Sequence, residues 1–287
     1  MTASRAYRLT RPDRQETAVV FSSPHSGREY PDAFIAASVL GAAQLRSSED
    51  AFVDELFASA VQFGAPLLAA RLPRAFVDLN RAPDEFDPAL IEGAPRLAHN
   101  PRVSSGLGVI PRVVANGRAI YAGRIGRAEA DARIETAWRP YHATLRTLTD
   151  DALARFGEAV LIDCHSMPHE AIEAHARPGQ PRPEVVLGDR FGAAARRDVM
   201  DRIEAAFLSA GFRVARNAPF AGAYITQAYG RPSRNAHAVQ IEIDRALYMD
   251  EASIARRPDF DVFRTLIGSV VAEITGARPA RLPLAAE

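Results

Sequence analysis

Two of the seven histidines directly follow short apolar runs. His25 comes after Ala18-Val19-Val20-Phe21-Ser22-Ser23-Pro24, and His165 closes Ala159-Val160-Leu161-Ile162-Asp163-Cys164. Unbroken apolar runs ended by a breaker read as buried strands of a parallel sheet. Ligands bind at the carboxyl ends of such strands. A lone histidine there is more often a hydrogen-bonded core residue, but two on separate strands of one sheet can converge on one cleft. Two imidazoles and a carboxylate suit zinc, with one position left open for water; other divalent ions accept the same donors. The carboxylate candidates are Asp50, Asp54 and Glu29, and Asp50 would equally serve a helix N-terminus. Asp163 lies two residues before His165, on the same strand face, where it can orient that imidazole. Cys164 faces the other way and reads as a buried apolar residue, not a nucleophile.

A second group of residues suits a substrate carrying carboxylates and a bond to hydrolyse. Asn80-Arg81 follows the strand-like run Ala75-Phe76-Val77-Asp78-Leu79. Arginine grips a carboxylate through two parallel hydrogen bonds, and asparagine adds a donor; a structural salt bridge is the alternative. Arg124, Arg127 and Arg133 are further anion-binding candidates. Glu242 sits inside the apolar run Val239-Gln240-Ile241-Glu242-Ile243. A buried glutamate with a raised pKa suits general acid and base work, the alternative being a salt bridge to Arg245. Tyr224 and Thr226 lie in a glycine-containing loop where they can reach substrate, though Tyr224 would serve equally as packing.

The elements that must position these residues are strands alternating with helices. Strands are expected at 17–23, 66–70, 75–79, 159–165, 185–187, 212–215 and 239–243, after an irregular lead-in over 1–16. Helices are expected over 49–64, 127–155 with an interruption near Pro140, 191–210 and 259–275. Val113 to Ile120 reads as a hairpin turned by Asn-Gly. Residues 82–108 and 168–183 read as loops, the first long enough to serve as a substrate lid, and the tail from Gly276 as frayed. This pattern gives an α/β fold with a mostly parallel, mixed sheet flanked by helices. No repeat or linker divides the 287 residues, so one domain is expected.

Composition narrows the function. The chain is 47% hydrophobic and 24% charged with formal net charge +0, and its basic residues are all arginine. That balance argues against a dedicated nucleic-acid or membrane-surface binder. No apolar run reaches membrane-spanning length, and the polar N-terminus has no signal-peptide core. The single cysteine fits a reducing compartment, which makes a cytoplasmic enzyme the expectation.

Four motifs then occur in order: Pro-His-Ser-Gly at 24–27, Asp-Leu-Asn-Arg at 78–81, Asp-Cys-His-Ser-Met-Pro at 163–168 and Gln-Ile-Glu-Ile-Asp-Arg-Ala-Leu-Tyr at 240–248. With the Ala-Gly-Ala-Tyr-Ile-Thr loop, they make the chain resemble the N-formylglutamate amidohydrolase family from about residue 17 to about 275. That family is related to the zinc carboxypeptidases and to the succinylglutamate desuccinylase and aspartoacylase group. The resemblance implies a carboxypeptidase-like fold and a zinc-dependent hydrolase. It implies His25 and His165 as metal ligands, Asn80-Arg81 as the carboxylate grip and Glu242 as the catalytic carboxylate. The carboxypeptidases place a ligand Glu three residues after the first His. Arg28 stands there and cannot ligate, so the ligand is assigned to Asp50, ahead of Glu29 and Asp54. The implied reaction is hydrolysis of N-formyl-L-glutamate to formate and L-glutamate, the last step of one histidine-degradation route. Arg124 or Arg133 would help Arg81 hold the two carboxylates. Another N-acyl amino acid as substrate is the first alternative, and a non-catalytic binding protein the second.

Overall fold

The computed structural model describes residues 6–95, 100–173 and 182–277. Seven strands form one sheet: β1 (Tyr7–Thr10), β2 (Val19–Ser23), β3 (Leu67–Ala70), β4 (Ala159–Met167), β5 (Val185–Gly188), β6 (Val214–Arg216) and β7 (Ala236–Asp244). Their order is β1-β3-β2-β4-β7-β5-β6. The pairs β2/β3, β2/β4, β4/β7 and β5/β6 are parallel, while β1/β3 and β5/β7 are antiparallel. The expected mixed, mostly parallel α/β sheet is therefore the one observed. β2 and β4 are buried along their whole length, which is why they read as continuous apolar runs rather than alternating ones.

Helices cover both faces. Two of them, α1 (Arg127–Arg133) and α2 (Arg139–Phe156), are joined by a π-helical turn, Ile134–Trp138. They pack with α4 (Tyr224–Tyr229) against Leu161, Val20 and Ala238. On the other face α3 (Arg197–Ser209) and α5 (Phe260–Thr275) pack against Phe21, Cys164 and Ile241. Cys164 is thus a buried core residue, as alternation predicts. Among the described residues no helix is long and apolar enough to cross a membrane.

Several expectations need correction. The lead-in, whose residues 1–5 lie outside the described part, contains β1: Tyr7 and Leu9 alternate with polar residues along an antiparallel edge. The helix over 49–64 is instead a short helix, Val53–Leu56, followed by a 3-10 stretch, Ala58–Phe63. It starts late because Phe52 takes a left-handed backbone, φ 66°, which a right-handed helix cannot run through. The hairpin over 113–120 is reduced to one bridge, Val113 to Ala119. The loop over 168–183 contains the short helix His169–Glu173, and its residues 174–181 lie outside the described part, as does the tail from 278.

Ala75 to Leu79 is not a strand, because other partners take its backbone groups. Arg133 Nη1 donates to the Phe76 carbonyl at 3.1 Å, His142 Nε2 to Leu79 at 2.8 Å and Trp138 Nε1 to Arg81 at 2.9 Å. The Asp78 N–H goes to Val109. These three side chains come from one helical run, and the π turn makes that possible. Five α-helical residues rotate Trp138 about 140° away from Arg133, whereas an i to i+5 turn brings them back to one side. Pro140, which has no N–H to donate, stands just after the turn. The interruption expected near Pro140 is this π turn.

Gly27 marks the tightest point of the β2 exit loop. A Cβ there would lie 2.0 Å from the Leu72 carbonyl oxygen. The obstacle is backbone, which cannot swing aside. Gly27→Ala is expected to destabilise the protein by about 1–3 kcal/mol or more, read as a lower denaturation midpoint at unchanged m-value.

Candidate active site

The carboxyl ends of β2, β4 and β7 lie side by side, and register aligns their chemistry. His165 is level with Glu242 across β4/β7, and Asp163 with Gln240. Because β-strand side chains alternate, these four share one face. His25 follows β2 by two residues and reaches the same place, its ring centroid 4.7 Å from that of His165. His25, His165, Gln240 and Glu242 line a cleft of about 740 Å³, with Asp163 buried behind them.

Both imidazoles turn Nδ1 toward one atom. His165 Nδ1 lies 2.9 Å from Asp50 Oδ2, and His25 Nδ1 lies 3.4 Å from it. Each Nε2 faces a different carboxylate: His25 Nε2 is hydrogen-bonded to Asp78 Oδ1 at 2.7 Å, and His165 Nε2 lies 3.0 Å from Asp163 Oδ2 and 3.0 Å from Asn80 Nδ2. That arrangement sets the tautomer of a metal-bound imidazole and leaves Nδ1 as the ligand atom. His25 Nδ1 is buried without a hydrogen-bond partner among the described residues. The ligand atoms of His25, Asp50 and His165 lie within 4.8 Å of one another, as a group able to hold a metal ion must. Two imidazole nitrogens and a carboxylate oxygen are a donor set that fits zinc.

The electrostatics agree. Burial opposes the charge on Asp50, but the hydrogen bond from His165 and the His25 ring facing the same oxygen outweigh it and hold the carboxyl well below its usual range. Burial opposes a proton on His165 too, yet Asp163 and Asp50 raise its pKa well above normal. Arg245 Nη2 donates to Asp50 Oδ1 at 2.9 Å, so the carboxylate is held from behind while Oδ2 faces the histidines. Glu242 makes no ion pair with Arg245; its Oε1 accepts from Gln240 Nε2 at 2.8 Å. Burial pushes Glu242 up to about 7, a poise suited to taking and giving a proton.

The other expected residues divide sharply. Glu29 pairs with Arg71 at the surface and Asp54 with Arg8, so neither joins the histidines. Asn80 lines the cleft but is fully engaged, its Nδ2 donating to Asp163 at 2.9 Å and its Oδ1 accepting from the Ile225 N–H at 2.7 Å. It therefore holds the His165 side of the site and is not free to grip a ligand. Arg81 lines the cleft, bonded only to backbone carbonyls of Leu107 and Asn80. Arg124 and Arg133 do not line it. Arg124 Nη2 caps the Pro88 and Ile91 carbonyls. Arg133 is buried over Phe76, bonded to Tyr121 and Glu129. Arg127 is an exposed partner of Asp131. Tyr224 packs on Trp138 and His142, and Thr226 Oγ1 bonds to the Ala223 carbonyl; neither lines the cleft. Among the described residues the cations there besides Arg81 are Arg74, Arg102 and Arg245. Sequence reasoning missed Arg74 and Arg102, which lie in irregular segments without a periodic signal. Arg245 stood in a motif but was weighed only as a partner for Glu242.

The family model for N-formylglutamate amidohydrolase matches residues 17–249. The chain belongs to this family. An N-formylglutamate deformylase of Pseudomonas aeruginosa is 32% identical over 269 residues, covering 90% of this chain and 94% of its own length. One from Pseudomonas putida is 30% identical, covering 81% and 82%. The crystal structure of N-formylglutamate amidohydrolase from Ralstonia eutropha superposes with a TM-score of 0.88 at 34% identity, covering 95% of this chain and 98% of that one. An Agrobacterium tumefaciens gene product shares the fold at 18% identity, with a TM-score of 0.63 over 94% of this chain and 96% of its own.

Family membership leaves the cost of the Glu242 environment to be measured. Its pKa in the folded protein, about 7, lies above the ordinary 4.5. Stability from this group is therefore complete below pH 4.5 and is lost as pH rises through about 7. In chelator-treated protein, Glu242→Gln should raise the melting temperature at pH 8 by about 2 °C or more, and the gain should disappear at pH 4.

Proposed function

We propose that this protein hydrolyses N-formyl-L-glutamate to formate and L-glutamate, using zinc held by His25, Asp50 and His165. The observation that carries the reading is the convergence of both Nδ1 atoms on Asp50 Oδ2, level with buried Glu242. The relatives named N-formylglutamate deformylase support the substrate. Bound zinc would polarise the formyl oxygen and lower the pKa of water.

The chain supplies the rest. Glu242 accepts the proton of the attacking water and delivers it to the leaving nitrogen as the C–N bond breaks. Asp78 and Asp163 hold the two imidazoles in the ligating tautomer. Arg81, near Asn80 and deep in the cleft, grips the α-carboxylate. Charge bookkeeping favours a divalent cation. Asp50, Asp78 and Asp163 surround the two imidazoles, and among the described residues the arginines paired with them are Arg245 and Arg74, with Asp50 and Asp78; Glu242, pushed up to about 7, adds a negative charge whenever it gives up its proton.

The test is formate release from N-formyl-L-glutamate, beside deacylation of N-acetyl- and N-succinyl-glutamate, on metal-analysed protein. Turnover of the formyl compound alone, lost on chelation and restored by zinc, is expected. Selective turnover of another acyl group would replace the substrate, and full activity in metal-free protein would remove the metal. Asp50→Ala should lower zinc content. Glu242→Gln should retain zinc but lose about 100-fold or more in kcat.

A further inference from the structure

The four arginines of the cleft are not equivalent. Arg74 Nε donates to Asp78 Oδ2 at 3.0 Å, and Arg245 Nη2 to Asp50 Oδ1 at 2.9 Å. Both are tied to the carboxylates that hold the histidines. Arg81 and Arg102 have no such tie. Arg81 bonds only to two backbone carbonyls. Arg102, on the short helix Pro101–Ser104, makes no side-chain hydrogen bond or ion pair among the described residues. Glu85 is the carboxylate that senses both guanidinium groups, yet it pairs with neither, and its buried Oε2 has no hydrogen-bond partner. The two guanidinium groups also sense one another. Burial, with Arg74 and Arg102 beside it, lowers the Arg81 pKa against the opposing pull of Asp78.

Two guanidinium groups without a paired carboxylate around one cleft call for a ligand with two negative charges. Their depths order those charges. Arg81 is buried and adjoins Asn80, whose amide is bonded to the Asp163 that holds His165, so it is close to the reacting end. Arg102 is exposed at the mouth. A carboxylate two bonds from the scissile nitrogen belongs at the deep position, and one at the far end of a three-carbon side chain belongs at the outer position.

We propose that Arg102 is the specificity-determining residue that binds the substrate's side-chain carboxylate, leaving Arg81 the α-carboxylate. This rests on the N-formylglutamate reading above and assigns the part first expected of Arg124 or Arg133. Selectivity for a dicarboxylate then comes from a cation outside the metal site, on a segment that touches none of the ligands. A neutral, isosteric side chain would leave Arg102 unpaired at no great cost, since it is already solvated, but would forgo a charge-assisted pair.

The experiment measures kcat/KM for N-formyl-L-glutamate and N-formyl-L-glutamine with the zinc-loaded wild-type protein, Arg102→Leu, Arg102→Lys and Arg81→Leu. In wild-type protein the charged substrate is preferred. Arg102→Leu should lower that preference about 10- to 100-fold, through KM rather than kcat, and Arg102→Lys should restore part of it. Arg81→Leu should depress both substrates together and keep the ratio. A ratio unchanged in Arg102→Leu would overturn the proposal while leaving the deformylase reading intact. Wild-type protein inactive on N-formyl-L-glutamate would overturn the deformylase reading, and this assignment with it.

Discussion

Asp50 is 1% exposed and still carries its charge, and the arrangement of the site depends on how that is made possible. An isolated carboxylate at such depth would take up a proton. Here one oxygen faces two imidazoles and the other accepts from Arg245. The imidazoles in turn need Asp78 and Asp163 behind them, and those carboxylates need Arg74 and Asn80. Each buried charge is tolerated only through the next. Removing one member leaves another unpaired, which costs more than the pair is worth when intact. The network is accordingly gathered from the ends of three strands and the turn at 78–81, with Asp50 and Arg74 brought in from irregular segments beside them.

Charge extends this logic beyond the network. Three aspartates stand around the histidines with two arginines paired to them, and among the described residues two more arginines line the cleft without a paired carboxylate. Acidic and basic groups are thus segregated within one cleft, although the overall charge is zero.

Much of this was legible in the sequence because a doubly covered parallel sheet writes its central strands as plain apolar runs. Polar residues at the end of such a run stand out, and His25, His165, Asp163 and Glu242 were found in that way. Asp50 was found less directly, as one of three carboxylates near His25, and only the folded chain separates it from Asp54 and Glu29. What the sequence hides is register and loop path. Nothing in it states that His165 is level with Glu242. Nothing shows that the apolar run at 75–79 gives its carbonyls to a helix and not to a neighbouring strand. The same blindness hid that Arg74 and Arg102 line the cleft while Arg124 and Arg133 do not: an arginine's neighbours are set by tertiary packing, and each of these has a local context that looks like any surface arginine.

The π turn at Ile134–Trp138 takes up one extra residue in a widened turn of the long helix. Ahead of it Arg133 meets the carbonyl of Phe76; behind it Trp138 and His142 meet those of Arg81 and Leu79. Removing that one extra residue would restore ordinary α geometry and keep both halves on nearly the same side, since four α-helical residues turn through about 400°. A deletion elsewhere in the run would instead turn one half by about 100° against the other, so that only one could dock. The π turn is therefore the one place where this helix can change length by a residue and still hold the segment at 76–81.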